Sequence, residues 1–474
     1  MEKWIERADN LVWGPWTLIL LLGTGSYLML RMRFLPLRNL KFALKCAVSG
    51  DSKAGGGNGK VSSFSALTTE LAVTIGTGNI IGVATAMVLG GPGALFWMVI
   101  TSFIGMATKL AESTLAVKYR SVNEKGEPAG GPMYTCVRAL GGWGGRLLGF
   151  TFALFAVMSS FGMGNMTQSN SIADAMWYSF GIPKVKTGLI VTVLTILVVL
   201  GGIRTISKVT QFLVPAMGLL YMLGCLTVIV THLHNLPGAM AGIIAAAVSP
   251  SAVSGGLFGT VTVSAFASLR WGVSRGIFSN EAGLGASGIT AAAADTDDPV
   301  RQGYISMTGV FLDTAVMCSV TGLALAASGV LGLPAVSDGH LNGTGLILAV
   351  FQSTFSEGSD LFVGTCVALF AFATIVGCAY QGERAFEFLM GGRTKYNIWY
   401  RFAYGLIAFL GCIFSLEVVW NLADICNGLM AVPNLICVLT LSGALCREIR
   451  RYGEKRIEGN DRTCYDHSRR IRRI

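Results

Sequence analysis

The chain predicts an all-α polytopic membrane protein of about eleven transmembrane helices, built as an inverted five-plus-five repeat with two broken helices. Three observations carry that expectation. The 474 residues are 52% hydrophobic and 13% charged, with mean hydropathy +0.60, where soluble domains carry roughly 25% charged residues. Eleven apolar runs reach the about 20 residues that a helix needs to cross a bilayer. Two of those runs are interrupted at their centres by small and polar residues. In hydrocarbon every backbone N–H and C=O needs a partner, so a broken helix persists only where it packs in protein or lines a cavity.

Taken in order, the first run (12–33) and the basic stretch after it read as an accessory helix and cytoplasmic loop, residues 1–61. The second run, 62–89, carries the first break, Ile75-Gly76-Thr77-Gly78-Asn79. Runs at 93–117, 147–179, 185–203 and 207–231 complete a first five-helix unit over 62–232. Residues 233–259 read as an extracellular interfacial segment, because the run near 236–256 is short and Gly/Ser-broken; a similar piece lies at 344–356. The seventh run, 260–294, carries the second break, placed at Gly276-Ile277-Phe278-Ser279-Asn280-Glu281-Ala282-Gly283. Runs at 302–331, 359–388, 398–416 and 420–445 complete a second unit over 260–446, and a basic tail covers 447–474. The breaks fall five spans apart, and an odd repeat length forces the two copies into opposite orientations. Paired Gly-interrupted spans in the two halves of a polytopic chain point to a transporter's substrate site.

Charge placement sets the orientation. With the C-terminus in the cytoplasm and the N-terminus outside, inward segments carry 29 Lys/Arg and outward segments only Lys3, Arg7, Lys184 and Lys186. That asymmetry is the positive-inside signature of a multi-pass protein of the cell's inner (plasma) membrane. The net charge of +10 is thus an orientation signal and does not point to nucleic acid. The basic tail is expected to lie on anionic lipid or to be unstructured. Charged Met1–Asn10 and the lack of a small-residue cleavage site argue against a cleavable signal peptide. The eleven cysteines are scattered without a C-x-x-C pair and read as small hydrophobes. No G-x-S-x-G, H-E-x-x-H or paired-carboxylate motif stands out, and the four histidines do not cluster, so an enzyme is not expected. Repeated pore helices or a carbonyl filter, which an ion channel would show, are not seen.

At Thr77-Gly78-Asn79 the helix is expected to unwind. N–H groups at the start of a half-helix, at its positive dipole end, suit a carboxylate. Carbonyls freed at the end of the other half-helix suit a sodium ion. The structural alternative is a glycine-rich close helix crossing, which the second break in register weakens. Gln168 and Asn165 lie three apart, on one face of the fourth span. Gln168 either binds the substrate's amino or carboxylate group or makes an interhelical hydrogen bond, worth about 0.6 kcal/mol on average. Glu70, two turns before Thr77, is a candidate to attract an ammonium group or sodium, or to gate; a plain interfacial charge is the competing reading. Gly276 falls in the second break, and Phe278 there either caps the substrate's apolar side chain or packs in the core. Lys109 and Glu112 are expected to form a structural i,i+3 pair. Asp313 and Asp424 stand as pairing or gating candidates.

Longer blocks narrow the reading. Gly90-Gly91-Pro92-Gly93-Ala94-Leu95-Phe96-Trp97-Met98, then Gly105-Met106-Ala107-Thr108-Lys109 and Glu112, resemble the sodium:alanine (alanine or glycine:cation) symporter family. Thr74 to Val83, Gly130-Gly131-Pro132-Met133-Tyr134, and Phe278 to Gly285 agree, so that the resemblance spans about residues 10–450. It implies sodium-coupled uptake of a small neutral amino acid such as alanine or glycine, with serine and glutamine as further candidates and without a prosthetic cofactor. It also implies alternating access on the leucine-transporter inverted-repeat fold. A proton-coupled amino-acid carrier of the same fold is the alternative. In the related neurotransmitter:sodium symporters the broken helix reads Gly-Leu-Gly-Asn where this chain has Gly76-Thr77-Gly78-Asn79. By that similarity the Thr77 and Gly78 N–H groups hold the substrate carboxylate. Carbonyls of Ala72 and Ile75 with the Thr374 hydroxyl surround one sodium, and Asn79 serves a second ion or the substrate. Two positions depart from the family pattern: Ala373 replaces a second hydroxyl, and Cys378 stands where a tryptophan is common. A lost aromatic at Cys378 implies a wider pocket wall.

Overall fold

A computed structural model of the chain describes residues 11–49, 61–248, 252–254, 261–263, 265–338, 341–355, 357–414 and 417–458. Each of the eleven apolar runs becomes helical. Span 1 is Pro15–Arg31, span 3 Gly93–Lys118, span 4 Gly142–Phe180, span 5 Lys184–Leu200 and span 6 Gly202–Thr231. Span 8 is Pro299–Ala327, span 9 Ser359–Leu389, span 10 Asn397–Ile413 and span 11 Glu417–Thr440. Five of these helices are long and apolar enough to cross a membrane unaided. Span 2 is divided into 2a (Ser63–Thr74) and 2b (Ile81–Leu89), and span 7 into 7a (Ala265–Asn280) and 7b (Ala286–Ala291). The short runs become the apolar helices Leu236–Val248 and Gly343–Gln352. Two two-stranded ribbons, Ser121–Val122 with Pro128–Ala129 and Ala252–Ser254 with Val261–Val263, complete the regular structure among the described residues.

Local chemistry starts and stops these helices. Ser62 caps 2a by accepting from the Ser65 N–H at 3.1 Å, and Asp298 with Pro299 opens span 8. Gly181, at φ 64°, closes span 4 in the left-handed conformation that glycine tolerates. Two spans widen into π-helical turns, Gly162–Met166 in span 4 and Phe311–Cys318 in span 8. Such turns re-aim the side chains around them and are frequent at functional sites.

The broken helices pack crosswise, 2a against 7b and 2b against 7a, with spans 3, 6, 8 and 9 around them. Their outer ends are tied together. Val61, before 2a, pairs with Ala294, after 7b, and its carbonyl accepts from the Asp295 N–H at 2.7 Å. At the other side of the bilayer, Ser268 of 7a donates to the Gly90 carbonyl at the end of 2b, at 2.5 Å. This mirrored tying is what an inverted pair requires.

Three expectations need correction here. The second break begins later than the sequence suggested: 7a runs unbroken through Gly276 and Phe278, and the chain turns at Glu281, Gly283 and Gly285, with φ of 56°, 98° and 87°. Gly276 faces Met98 of span 3, where a Cβ would make ordinary contact, at 3.4 Å from the Met98 Cα. The basic tail begins as a helix, Ser442–Glu458, bent 60° from span 11; residues 459–474 lie outside the described set. Lys109 and Glu112 do not pair with each other, for reasons given below. The stretch Gly272-Val273-Ser274-Arg275-Gly276 has the G-x-S-x-G form, yet it lies inside 7a. It lacks the strand-to-helix turn that exposes a nucleophilic serine.

Candidate functional site

The first break is a short 3₁₀ turn, Thr77–Asn79, between two half-helices. Asn79 shapes it: its Oδ1 accepts from the Gly76 N–H at 2.9 Å, closing the turn on itself. Gln168 reaches the break from span 4, where its Oε1 accepts from Thr77 Oγ1 at 2.9 Å and its Nε2 donates to the Met163 carbonyl at 3.2 Å. Asn165 does not share that face. It donates to the Tyr404 carbonyl at 2.7 Å, because the π turn at Gly162–Met166 alters the i,i+3 register.

Thr374 of span 9 approaches the end of 2a, and its hydroxyl donates toward the Ala72 carbonyl at 3.1 Å and the Phe370 carbonyl at 3.2 Å. Gly76 makes that approach possible, since a Cβ there would stand 2.4 Å from Thr374 Oγ1. Ile75, at ψ 81°, turns its carbonyl off the helical path. Thr374 and Ala72 thus bring two oxygens together at the negative dipole end of a half-helix, the kind of position that a hard cation favours.

A second polar cluster was only half legible. The π turn of span 8 aims Asp313 at the first break, where its Oδ1 accepts from Asn79 Nδ2 at 2.7 Å. Its Oδ2 accepts from Ser279 Oγ at 2.9 Å and Thr314 Oγ1 at 2.6 Å. Two hydroxyls and one amide thus converge on one buried carboxyl group. Ser279 and Thr314 were missed as site residues; the signal was an aspartate within an apolar span.

Phe278 lies against the opened backbone of the first break. A Cβ on Gly78 would sit 3.6 Å from the Phe278 ring and 3.5 Å from the Ser279 Cα. The ring packs on Met163 and carries the Arg275 guanidinium 5.4 Å from its centroid. Arg275 also reaches Asp424 of span 11 at 3.8 Å. Aromatic and ion pair together roof the break on one side.

Glu70 takes a different place from the expected one. It forms an ion pair with Lys109 of span 3 at 3.4 Å, both side chains 1% exposed. Lys109 also donates to the Asn280 carbonyl at the end of 7a, at 3.0 Å. One ammonium therefore joins 2a to 7a, and Glu70 serves as its counter-charge. Glu112 instead accepts from Asn434 of span 11 at 2.5 Å. Cys378 is buried against Gly164, and it lines a cavity with Met163, Glu281 and Gln381.

Comparison with known proteins places this geometry. The model of the sodium:alanine symporter family matches residues 1–466. The sodium/alanine symporter AgcS of Methanococcus maripaludis is 47% identical over 453 residues, 95% of this chain and 97% of that protein. The chain belongs to the sodium:alanine symporter family. Within that family, the probable sodium/glutamine symporter GlnT of Bacillus subtilis is 34% identical, covering 98% of this chain and 93% of its own length. Among solved structures, MhsT in complex with L-phenylalanine superposes with TM-score 0.57 over 81% of this chain and 90% of its own, at 14% identity. That likeness shows the fold, an inverted repeat with broken helices. As a member of this family the chain is a multi-pass membrane transporter and not an enzyme.

Proposed function

We propose that the protein carries a small neutral amino acid into the cell together with sodium, by alternating access around the crossing of the two breaks. The observation that carries this reading is the convergence on the first break: Gln168 on Thr77, Thr374 on Ala72 and Asp313 on Asn79, at 2.7–3.1 Å. The Thr77 and Gly78 N–H groups receive the substrate carboxylate, with Gln168 fixing the Thr77 hydroxyl beside it. Sodium sits among the carbonyls of Ala72 and Ile75 and the Thr374 hydroxyl. Asn79, Asp313 and Ser279 offer a second oxygen-rich position. Phe278 closes over the apolar part of the substrate, Gly276 faces span 3 from 7a, and Glu70 holds Lys109 in place. Cys378 forms the wall at which larger neutral side chains are admitted.

Sodium is preferred to the proton as coupling ion because the 47% identical AgcS is a sodium/alanine symporter and Asp313 adds two oxygens to the polar cluster at the first break. The similarity to AgcS and GlnT supports alanine-type and glutamine-type substrates. The N-terminus faces outward and the C-terminus the cytoplasm, where the helix Ser442–Glu458 rests its basic face on anionic lipid. Uptake of labelled alanine into proteoliposomes, with sodium or choline outside at fixed pH, tests the reading. Uptake that needs sodium and is competed by glycine, serine or glutamine supports it; equal uptake in choline overturns it.

A further inference from the structure

Beside the crossing of the breaks lies a cavity of about 20 Å³, lined among others by Met163, Ser159 and Ser160 of span 4, Glu281 of the second break, and Cys378 and Gln381 of span 9. That volume holds about one water-sized group. Met163 connects it to the site: its carbonyl accepts from Gln168 Nε2, and its side chain meets Phe278. Ser159 spends its hydroxyl proton on Asn427 Oδ1 at 3.3 Å, and Ser160 spends its own on the Val157 carbonyl at 2.7 Å. Gln381 spends an amide N–H on Thr290 Oγ1 at 3.3 Å. Glu281, 3% exposed, brings a carboxylate oxygen, Oε2, that has no hydrogen-bond partner. Gln381 keeps a second amide N–H, and the wall's orphaned oxygen is Glu281 Oε2.

We infer that this cavity is a subsite for the substrate's side chain, built for an uncharged group ending in an O–H or N–H donor, a hydroxyl or a carboxamide. The inference rests on the amino-acid transport reading and names the side chain that it favours. An orphaned buried acceptor is costly, and a ligand donor removes that cost, whereas an isosteric apolar side chain leaves it in place. A site built to bond a substrate's polar group discriminates strongly against the analogue that lacks it.

The test pairs isosteres. In proteoliposomes holding the full chain under an inward sodium gradient, serine should compete for labelled alanine uptake at least tenfold better than 2-aminobutyrate, and asparagine better than leucine. Equal potency within each pair, or a preference for the apolar member, overturns the inference while the transport reading stands. Absence of sodium-dependent uptake of any of these compounds is failure of the transport reading itself. Two substitutions locate the effect: Glu281→Gly, compatible with the φ of 56° at that position, and Gln381→Met on the opposite helix. Each should cut the serine to 2-aminobutyrate ratio at least threefold. For a variant that no longer transports, ligand-dependent thermal stabilisation of the purified protein supplies the same ratio. A ratio unchanged in either variant overturns the assignment to this cavity.

Discussion

Thr374 carries one of the few hydroxyls that reach the end of 2a, because its neighbour is Ala373 and not a second hydroxyl residue. Thr374→Ala should therefore raise the sodium concentration for half-maximal uptake about tenfold, equivalent to about 1.4 kcal/mol of binding, with little change in substrate preference. Sodium titration of uptake measures it, and an unchanged half-saturation removes Thr374 from the ion's shell. Cys378 acts through volume. Cys378→Trp fills the cavity beside Gly164 and should favour alanine and glycine over glutamine by at least tenfold, since even one methylene is worth about 1–3 kcal/mol in such a pocket. Competition assays read this directly; a wild-type profile in the expressed variant would show that position 378 does not face the substrate. At this scale the sequence told much about the first break, where Gly76, Thr77, Gly78 and Asn79 interrupt an apolar run. It told little about Glu70 and Lys109. Helical spacing identifies neighbours on one helix, and the partner of Lys109 lies on another.

The half-helix is the working element. Its opened turn needs bare backbone at Gly78, where a Cβ makes only ordinary contacts, at 3.5 Å and beyond, while branched methyls would run into Phe278 and Ser279. Gly78→Ala is expected to keep measurable alanine uptake and Gly78→Val to lose it while still inserting; equal uptake by both would make the break a mere packing kink. Lys109 ties the two broken elements through Glu70 and the Asn280 carbonyl, at 3.4 and 3.0 Å. Removing one partner of a buried pair costs about 3–5 kcal/mol, while replacing both often costs far less. Lys109→Met should lower the detergent melting temperature sharply, and Lys109→Met with Glu70→Gln should recover much of it. Equal melting of the single and double variants would deny the coupling. The second break was misplaced in the sequence reading because Gly276 has the composition of a break and the environment of a helix crossing. The turn itself begins at Glu281 and continues through Gly283 and Gly285, all with left-handed φ. Periodicity does not separate a helical glycine from a left-handed one; the backbone angle does.

Over the whole molecule, the helical fold and its pair of breaks were the most legible level, because hydropathy and break spacing each report on them separately. The π turns at Gly162–Met166 and Phe311–Cys318 were not legible. They are set by packing around the site, and they are what turn Gln168 and Asp313 onto the first break. If one crossing serves both solutes, as proposed, sodium and amino acid must drive each other. Sodium-22 uptake and labelled alanine uptake, measured in the same proteoliposomes, test that most directly. Coupling predicts that alanine outside accelerates sodium entry and that sodium outside accelerates alanine entry, with both effects lost in Gly78→Val. Alanine entry at one rate in sodium and in choline, with sodium entry indifferent to alanine, would contradict it.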